Sequence, residues 1–116
     1  MKESLSDFNK FRSEMNEEIH ASDHLGMKRF FALDHQAYQD GALSGKTKEL
    51  LGLVASAVLR CDDCITYHLV QCGEAGWKRE EVIDALNVAL IVGGSIVIPH
   101  LRRAFARMHE IPGLQA

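Results

Sequence analysis

The chain has 116 residues and a formal net charge of −3 at pH 7. At this length we expect one domain spanning residues 1–116, and the lack of a basic patch argues against nucleic acid as a partner. The most apolar run, residues 82–98, contains Asp84, Asn87 and the Gly93-Gly94 pair and is short for a membrane span. The polar first residues lack the apolar core of a signal peptide, so we expect a cytoplasmic protein without membrane association.

Apolar residues recur at helical spacing throughout the chain, and no alternating strand pattern is visible. The spacing predicts an all-α bundle of about six helices. A chain of this length buries a modest core, so additional stability from self-association as a homo-oligomer would be unsurprising. The third helix is apolar around most of its circumference and is expected to be central. The apolar fifth and sixth helices are the best candidates for a subunit interface. The predicted helices cover about residues 6–20, 26–38 and 46–59, the cysteine motif to about 73–76, 78 to about 90, and the Gly93-Gly94 break to about 109.

The segment from Cys61 to His68 carries the strongest chemical signal. Cys61 and Cys64 are three residues apart, and His68 follows Cys64 by four. Because positions i and i+4 lie on one face of a helix, the imidazole of His68 is expected beside the Cys64 sulfur, and Cys61 can reach Cys64 to form a disulfide. The spacing predicts thiol redox chemistry.

The reactive form of a cysteine is the thiolate, and the pKa of a free thiol is about 8.5. A helix N-terminus, the His68 base and a neighbouring thiol would each favour the thiolate here. Asp62 and Asp63 lie between the two cysteines and oppose it by like-charge repulsion. We therefore expect a less acidic thiol pair than one flanked by neutral or basic residues.

Glu49 lies in the apolar third helix, twelve residues before Cys61. Two interpretations remain open. If this helix packs against the cysteine helix, Glu49 would be a buried carboxylate near the thiols and suited to proton exchange. Alternatively, Glu49 stabilises the start of its helix from solvent.

Taken together, the spacing of Glu49, Cys61, Cys64 and His68 resembles the signature of the alkylhydroperoxidase D-like branch of the carboxymuconolactone decarboxylase superfamily. The likeness covers about residues 28–109. It implies an all-helical fold, assembly as trimers or hexamers, and thiol-dependent reduction of hydroperoxides without a cofactor or metal. It also implies a thiol or lipoyl-bearing electron donor. Asp63 stands where peroxidase members carry a histidine, a departure that bears on peroxidase strength and donor choice.

Carried over by position, the resemblance implies a role for each of these four residues. Cys64 attacks the peroxide and becomes a sulfenic acid, which Cys61 resolves as a disulfide. His68 and Glu49 form a proton relay that activates Cys64. A general disulfide reductase would use the same geometry.

Other interpretations use the same residues. A structural zinc site needs four ligands, usually as two separated pairs, and no other residue lies at a spacing that would supply the fourth ligand beside Cys61, Cys64 and His68. A thioredoxin-like protein would need a βαβ pattern around the motif, and the sequence shows no such pattern. A decarboxylase-like enzyme acting on a small ring substrate, or a binding protein with a vestigial cysteine pair, remains an alternative. Cys72 is expected in the core, His100 as a partly buried and hydrogen-bonded histidine, and the remaining histidines on the surface.

Overall fold

The computed structural model describes residues 3–116, so Met1 and Lys2, the start of the polar N-terminal segment, lie outside the described residues. Within that range the chain forms six α-helices and a 3-10 turn at Ser95–Val97, and no strand. The predicted all-α fold is confirmed, and each predicted helix is present. The helices are α1 (Leu5–Ala21), α2 (Leu25–Ala37), α3 (Gly45–Val58), α4 (Asp62–Glu74), α5 (Arg79–Gly93) and α6 (Ile98–Met108).

The helix ends follow from local side-chain chemistry. The Ser4 hydroxyl accepts a hydrogen bond from the Asp7 N–H at 3.0 Å, and that of Ser44 accepts one from the Thr47 N–H at 3.1 Å, so α1 and α3 begin at capped ends. Gly94 ends α5 with a φ of 82°, a left-handed conformation that glycine adopts without steric penalty. The break predicted at Gly93-Gly94 is thereby confirmed.

The core lies where α3, α4, α5 and α6 meet. Leu53, Leu69, Leu86 and Met108, one from each helix, have almost no exposed surface. α3 packs against both α4 and α5 and is central, as predicted. Its burial is incomplete, however, because Leu51 within the helix remains 52% exposed.

α1 and α2 lie outside this core. α1 is held at its start, where the Leu5 N–H donates to Glu110 Oε1 at 2.9 Å and the Arg107 guanidinium donates to the Glu3 carbonyl at 3.2 Å. Arg107 is itself only 3% exposed, so these bonds attach α1 firmly to the end of α6. None of the helices within residues 3–116 is long and apolar enough to span a bilayer.

Candidate active site

Cys61 and Cys64 are joined by a disulfide at the start of α4, with their Cα atoms 5.3 Å apart. Arg60 has a φ of 61°, a left-handed conformation that is uncommon for a residue with a side chain, and it turns the chain from α3 into α4. Cys61 is the N-cap residue of α4, and its sulfur accepts a hydrogen bond from the Cys64 N–H at 3.3 Å. Cys61 is half-buried and Cys64 is exposed, so solvent reaches the second sulfur more readily.

His68 lies one turn after Cys64 on α4 and is 8% exposed. Its Nδ1 is 2.9 Å from Oε1 of Glu49, whose side chain is 13% exposed. Glu49 is the fifth residue of α3, beyond the first turn, so the interpretation of Glu49 as a solvent-facing helix-dipole residue is wrong. Glu49 is instead a mostly buried carboxylate between α3 and α4, as the other interpretation expected.

Tyr38, just after α2, completes the surroundings of His68, and sequence reasoning missed it. Its hydroxyl oxygen is 3.4 Å from His68 Nε2. Because the Glu49 carboxylate accepts the Nδ1–H bond, Nε2 of a neutral His68 accepts from the Tyr38 hydroxyl. Burial, followed by the charge of Glu49, raises the pKa of Tyr38, so the phenol stays protonated and able to donate.

Gly52 of α3 makes this close packing possible. A Cβ at this position would lie 2.6 Å from His68 Cε1 and 2.8 Å from the Tyr38 hydroxyl oxygen. A glycine in the middle of an apolar helix costs about 1 kcal/mol of helix stability relative to alanine. Its presence within the apolar pattern of α3 is the sequence signal that could have revealed this close packing.

A cavity of about 470 Å³ opens between α1 and α4 over Cys64 and His68. The apolar part of its lining comes from α1 and α4: Phe8, Phe11, Met15 and Tyr67. Arg12 stacks on the Tyr67 ring at 4.2 Å from the centroid, and Asp34 and Asp63 add carboxylates to the lining. Tyr67 therefore lines the space beside Cys64 as well as contacting Arg12.

The two aspartates of the motif have different surroundings. Asp63 is exposed and lines the cavity. Asp62 is held by α6, where His100 Nδ1 is 2.7 Å from one carboxylate oxygen and Arg103 is 3.2 Å from the other. The expectation of a partly buried, hydrogen-bonded His100 is confirmed.

Residues 25–107 match the carboxymuconolactone decarboxylase family. The chain belongs to this family. A relative from Paracoccus denitrificans, uncharacterized protein 4 in the cox locus, is 31% identical over 84 residues, 72% of this chain and 76% of the relative. A second relative, from Cupriavidus necator, is 29% identical over 80 residues, 69% of this chain and 71% of its own length.

Solved structures of carboxymuconolactone decarboxylase family proteins share the fold. A Thermotoga maritima family protein, for which an involvement in the antioxidative response has been suggested, is 57% identical with a TM-score of 0.86 and covers 90% of this chain and 88% of its own. An apo family protein from Legionella pneumophila is 26% identical with a TM-score of 0.83, covering 91% and 95%. This chain is therefore a carboxymuconolactone decarboxylase family protein whose Cys-x-x-Cys pair lies at disulfide distance.

The other candidates from the sequence lie away from this site. Cys72 is in the core with no exposed surface, as predicted, and burial raises its pKa to about 12. His20, His24, His35 and His109 are exposed, also as predicted. Within residues 3–116, no group of three or more histidine, cysteine, aspartate or glutamate side chains is arranged to hold a metal ion.

Proposed function

We propose that this protein is a thiol-dependent peroxidase that reduces hydroperoxides through the Cys61–Cys64 pair. The observation that carries the proposal is the position of Cys64. It is exposed at a cavity of about 470 Å³, it is bonded to Cys61, and it shares the cavity with His68. Cys64, the thiol proposed to react, and His68, the proposed base, line a space large enough for a small organic molecule, and Cys61 adjoins Cys64 as the proposed resolving thiol.

The proposed cycle transfers two electrons. The Cys64 thiolate attacks the distal oxygen of a hydroperoxide ROOH, the O–O bond breaks, and Cys64 becomes a sulfenic acid while ROH leaves after gaining a proton. The Cys61 thiol then attacks the Cys64 sulfur, forming the disulfide and releasing water. A dithiol donor returns two electrons and two protons to restore both thiols.

His68 and Glu49 are proposed to move the protons. Nδ1–H is oriented by the Glu49 carboxylate at 2.9 Å, so Nε2 is the nitrogen that can accept a proton. In this structure Nε2 faces Tyr38 rather than a sulfur. The proton of Cys64 would therefore reach His68 through solvent in the cavity that both residues line.

Other parts of the prediction are proposals of the same kind. A thiol or lipoyl-bearing donor would reduce the disulfide, which requires a reducing compartment such as the cytoplasm. Self-association as a trimer or hexamer is supported by exposed apolar side chains on α2 and α5. They include Phe30, Leu33, Ile91 and Val92, each at least 64% exposed. Sedimentation analysis of the purified protein would test the assembly.

Thiol counting tests the activity directly. The reduced protein carries three cysteines, and one equivalent of hydroperoxide should leave one, the buried Cys72. Both lost thiols should return with dithiol reductant. In Cys64→Ser no thiol should be lost, whereas Cys61→Ser should trap a sulfenic acid on Cys64 that dimedone captures.

Cys72→Ala is the matched control, because it removes a cysteine outside the site and should still lose two thiols. If all three thiols of the reduced wild-type protein persist with peroxide, or if Cys64→Ser keeps turning over, the proposed function is wrong. A protein that ignores peroxide but exchanges with a small disulfide would instead be a disulfide reductase. An inert pair would favour the decarboxylase-like enzyme or the binding protein.

A further inference from the structure

Asp62 presents an electrostatic difficulty for the cysteine pair. It lies between the two cysteines in sequence and is the first residue of α4. A carboxylate on the residue next to Cys61 disfavours the thiolate by like-charge repulsion, whereas the N-terminus of α4 favours it. Which effect prevails depends on what neutralises Asp62.

Both groups that hold Asp62 come from α6, far along the chain, and the guanidinium of Arg103 supplies a compensating positive charge. His100 Nδ1–H donates to one oxygen of Asp62 at 2.7 Å, and the Arg103 guanidinium donates to the other at 3.2 Å. The carboxylate oxygens can only accept, so His100 must carry its proton on Nδ1. The two donors lie three residues apart on one face of α6, and each bonds a different oxygen of the carboxylate.

We infer that His100 and Arg103 are positioning residues that raise the thiolate content of the reduced Cys61–Cys64 pair by holding and neutralising Asp62. They act through Asp62 and touch neither sulfur. The inference deepens the proposed function and rests on its thiol chemistry, since it concerns how that thiol pair is activated. It also removes the basis for expecting both aspartates to weaken the pair, because only Asp63 is left without such partners among residues 3–116.

Other charged groups also lie near the cysteine pair, including Arg12 of α1 and Asp34 of α2, which line the same cavity as Cys64. Arg60 precedes Cys61 and is exposed, and Asp63 faces the cavity. Glu49 of α3 is bonded to His68. Each of these stays in place when the Asp62 pair is altered, so the effect of that pair can be measured alone.

The test uses the reduced full-length protein and no peroxide. Thiolate absorbance at 240 nm, followed against pH, measures the ionised fraction in variants of Asp62 and Arg103. Arg103→Gln leaves the carboxylate charge less compensated and should lower the thiolate fraction at pH 7 by about threefold, the size expected for one solvent-screened charge. Asp62→Asn should raise it by a similar factor.

The double variant Asp62→Asn/Arg103→Gln should return the thiolate fraction to near the wild-type value. Arg102→Gln is the matched control, since Arg102 is an exposed neighbour on α6 that forms no ion pair within the described residues, and it should change nothing. A purely structural role would lower the melting temperature of both single variants without moving their thiolate fractions in opposite directions.

The proposal is overturned if both single variants shift the thiolate fraction in the same direction, if neither shifts it, or if Arg102→Gln matches Arg103→Gln. Its failure is distinguishable from failure of the proposed function. If the protein consumes peroxide but the variants do not show the predicted order of thiolate fractions, only this inference is contradicted. If the variants show that order but the protein does not consume peroxide, only the peroxidase activity is contradicted.

Discussion

Replacing Gly52 with alanine should impair the chemistry of the site far more than the stability of the fold. The added Cβ would lie 2.6 Å from Cε1 and 2.8 Å from Nε2 of His68, and 2.8 Å from the Tyr38 hydroxyl oxygen. Ordinary contact begins at 3.4 Å, so the imidazole or the helix must move by about 0.8 Å. His68 has little room to move, because it is 8% exposed and bonded to Glu49.

Two opposing terms set the effect on stability. Overpacking of a filled site costs about 1–3 kcal/mol. The better helix propensity of alanine returns about 1 kcal/mol. The net loss in the free energy of unfolding is then about 0–2 kcal/mol, which lowers the melting temperature by roughly 0–8 °C. A misplacement near 1 Å can cost about 100-fold in rate, so turnover should fall by about that factor.

Hydroperoxide turnover with a dithiol reductant, measured beside thermal melting, provides the assay. Gly26→Ala is the control, because it makes the same change in α2, where the nearest atom to the new Cβ is the tip of the exposed His24 ring at 3.1 Å. It should keep full turnover. The reasoning would be refuted if Gly52→Ala kept wild-type turnover and melting temperature, because the Cβ would then have been accommodated without displacing His68.

Four further outcomes are expected. Glu49→Gln removes the charge that orients His68 and should lower turnover by about 10–100-fold, while oxidised protein still shows the Cys61–Cys64 disulfide by mass spectrometry. Cys72, with its pKa raised from 9.0 to about 12 by burial, should resist iodoacetamide at pH 8 until the protein is unfolded. The thiol of the unfolded chain ionises at lower pH than the buried thiol, so the free energy of unfolding should be constant with respect to Cys72 below pH 9 and should fall as the pH rises from 9 toward 12. Denaturation curves of Cys72→Ala should show a smaller fall over this range. Leu69→Ala opens a cavity in the core and should cost about 2–5 kcal/mol in urea unfolding, and a loss below 1 kcal/mol would contradict the packing described here.

Local features of this protein were predictable because they depend on the geometry of one helix. Residues three and four apart lie close together along a helix, so the short separation of Cys61 and Cys64 and the position of His68 one turn after Cys64 followed from their spacing. The partners of the imidazole, Glu49 and Tyr38, did not follow from it. Helix positions followed from apolar periodicity in the same way, and the glycine pair marked the break between α5 and α6. The catalytic roles of Cys61, Cys64, His68 and Glu49 stay predictions until thiol chemistry is measured.

Periodicity could not decide which apolar side chains the chain itself buries. Phe8 is only 6% exposed, whereas Phe11 and Phe30 are 65% and 70% exposed. The three are alike in type and lie at similar helical spacing, but α1 and α2 pack only at the margin of the four-helix core. Burial is a property of the partner surface, which a single helical pattern does not contain.

The sequence by itself determined the fold class and the short separation of the Cys-x-x-Cys pair, since both follow from the period of the α-helix. Only the tertiary structure decided what surrounds the segment from Cys61 to His68. The contacts that do so join Glu49 and Tyr38 to His68 across 19 and 30 residues, and His100 and Arg103 to Asp62 across 38 and 41. Each depends on the angle and register at which two helices pack, and these are set by the whole core rather than by spacing within one helix.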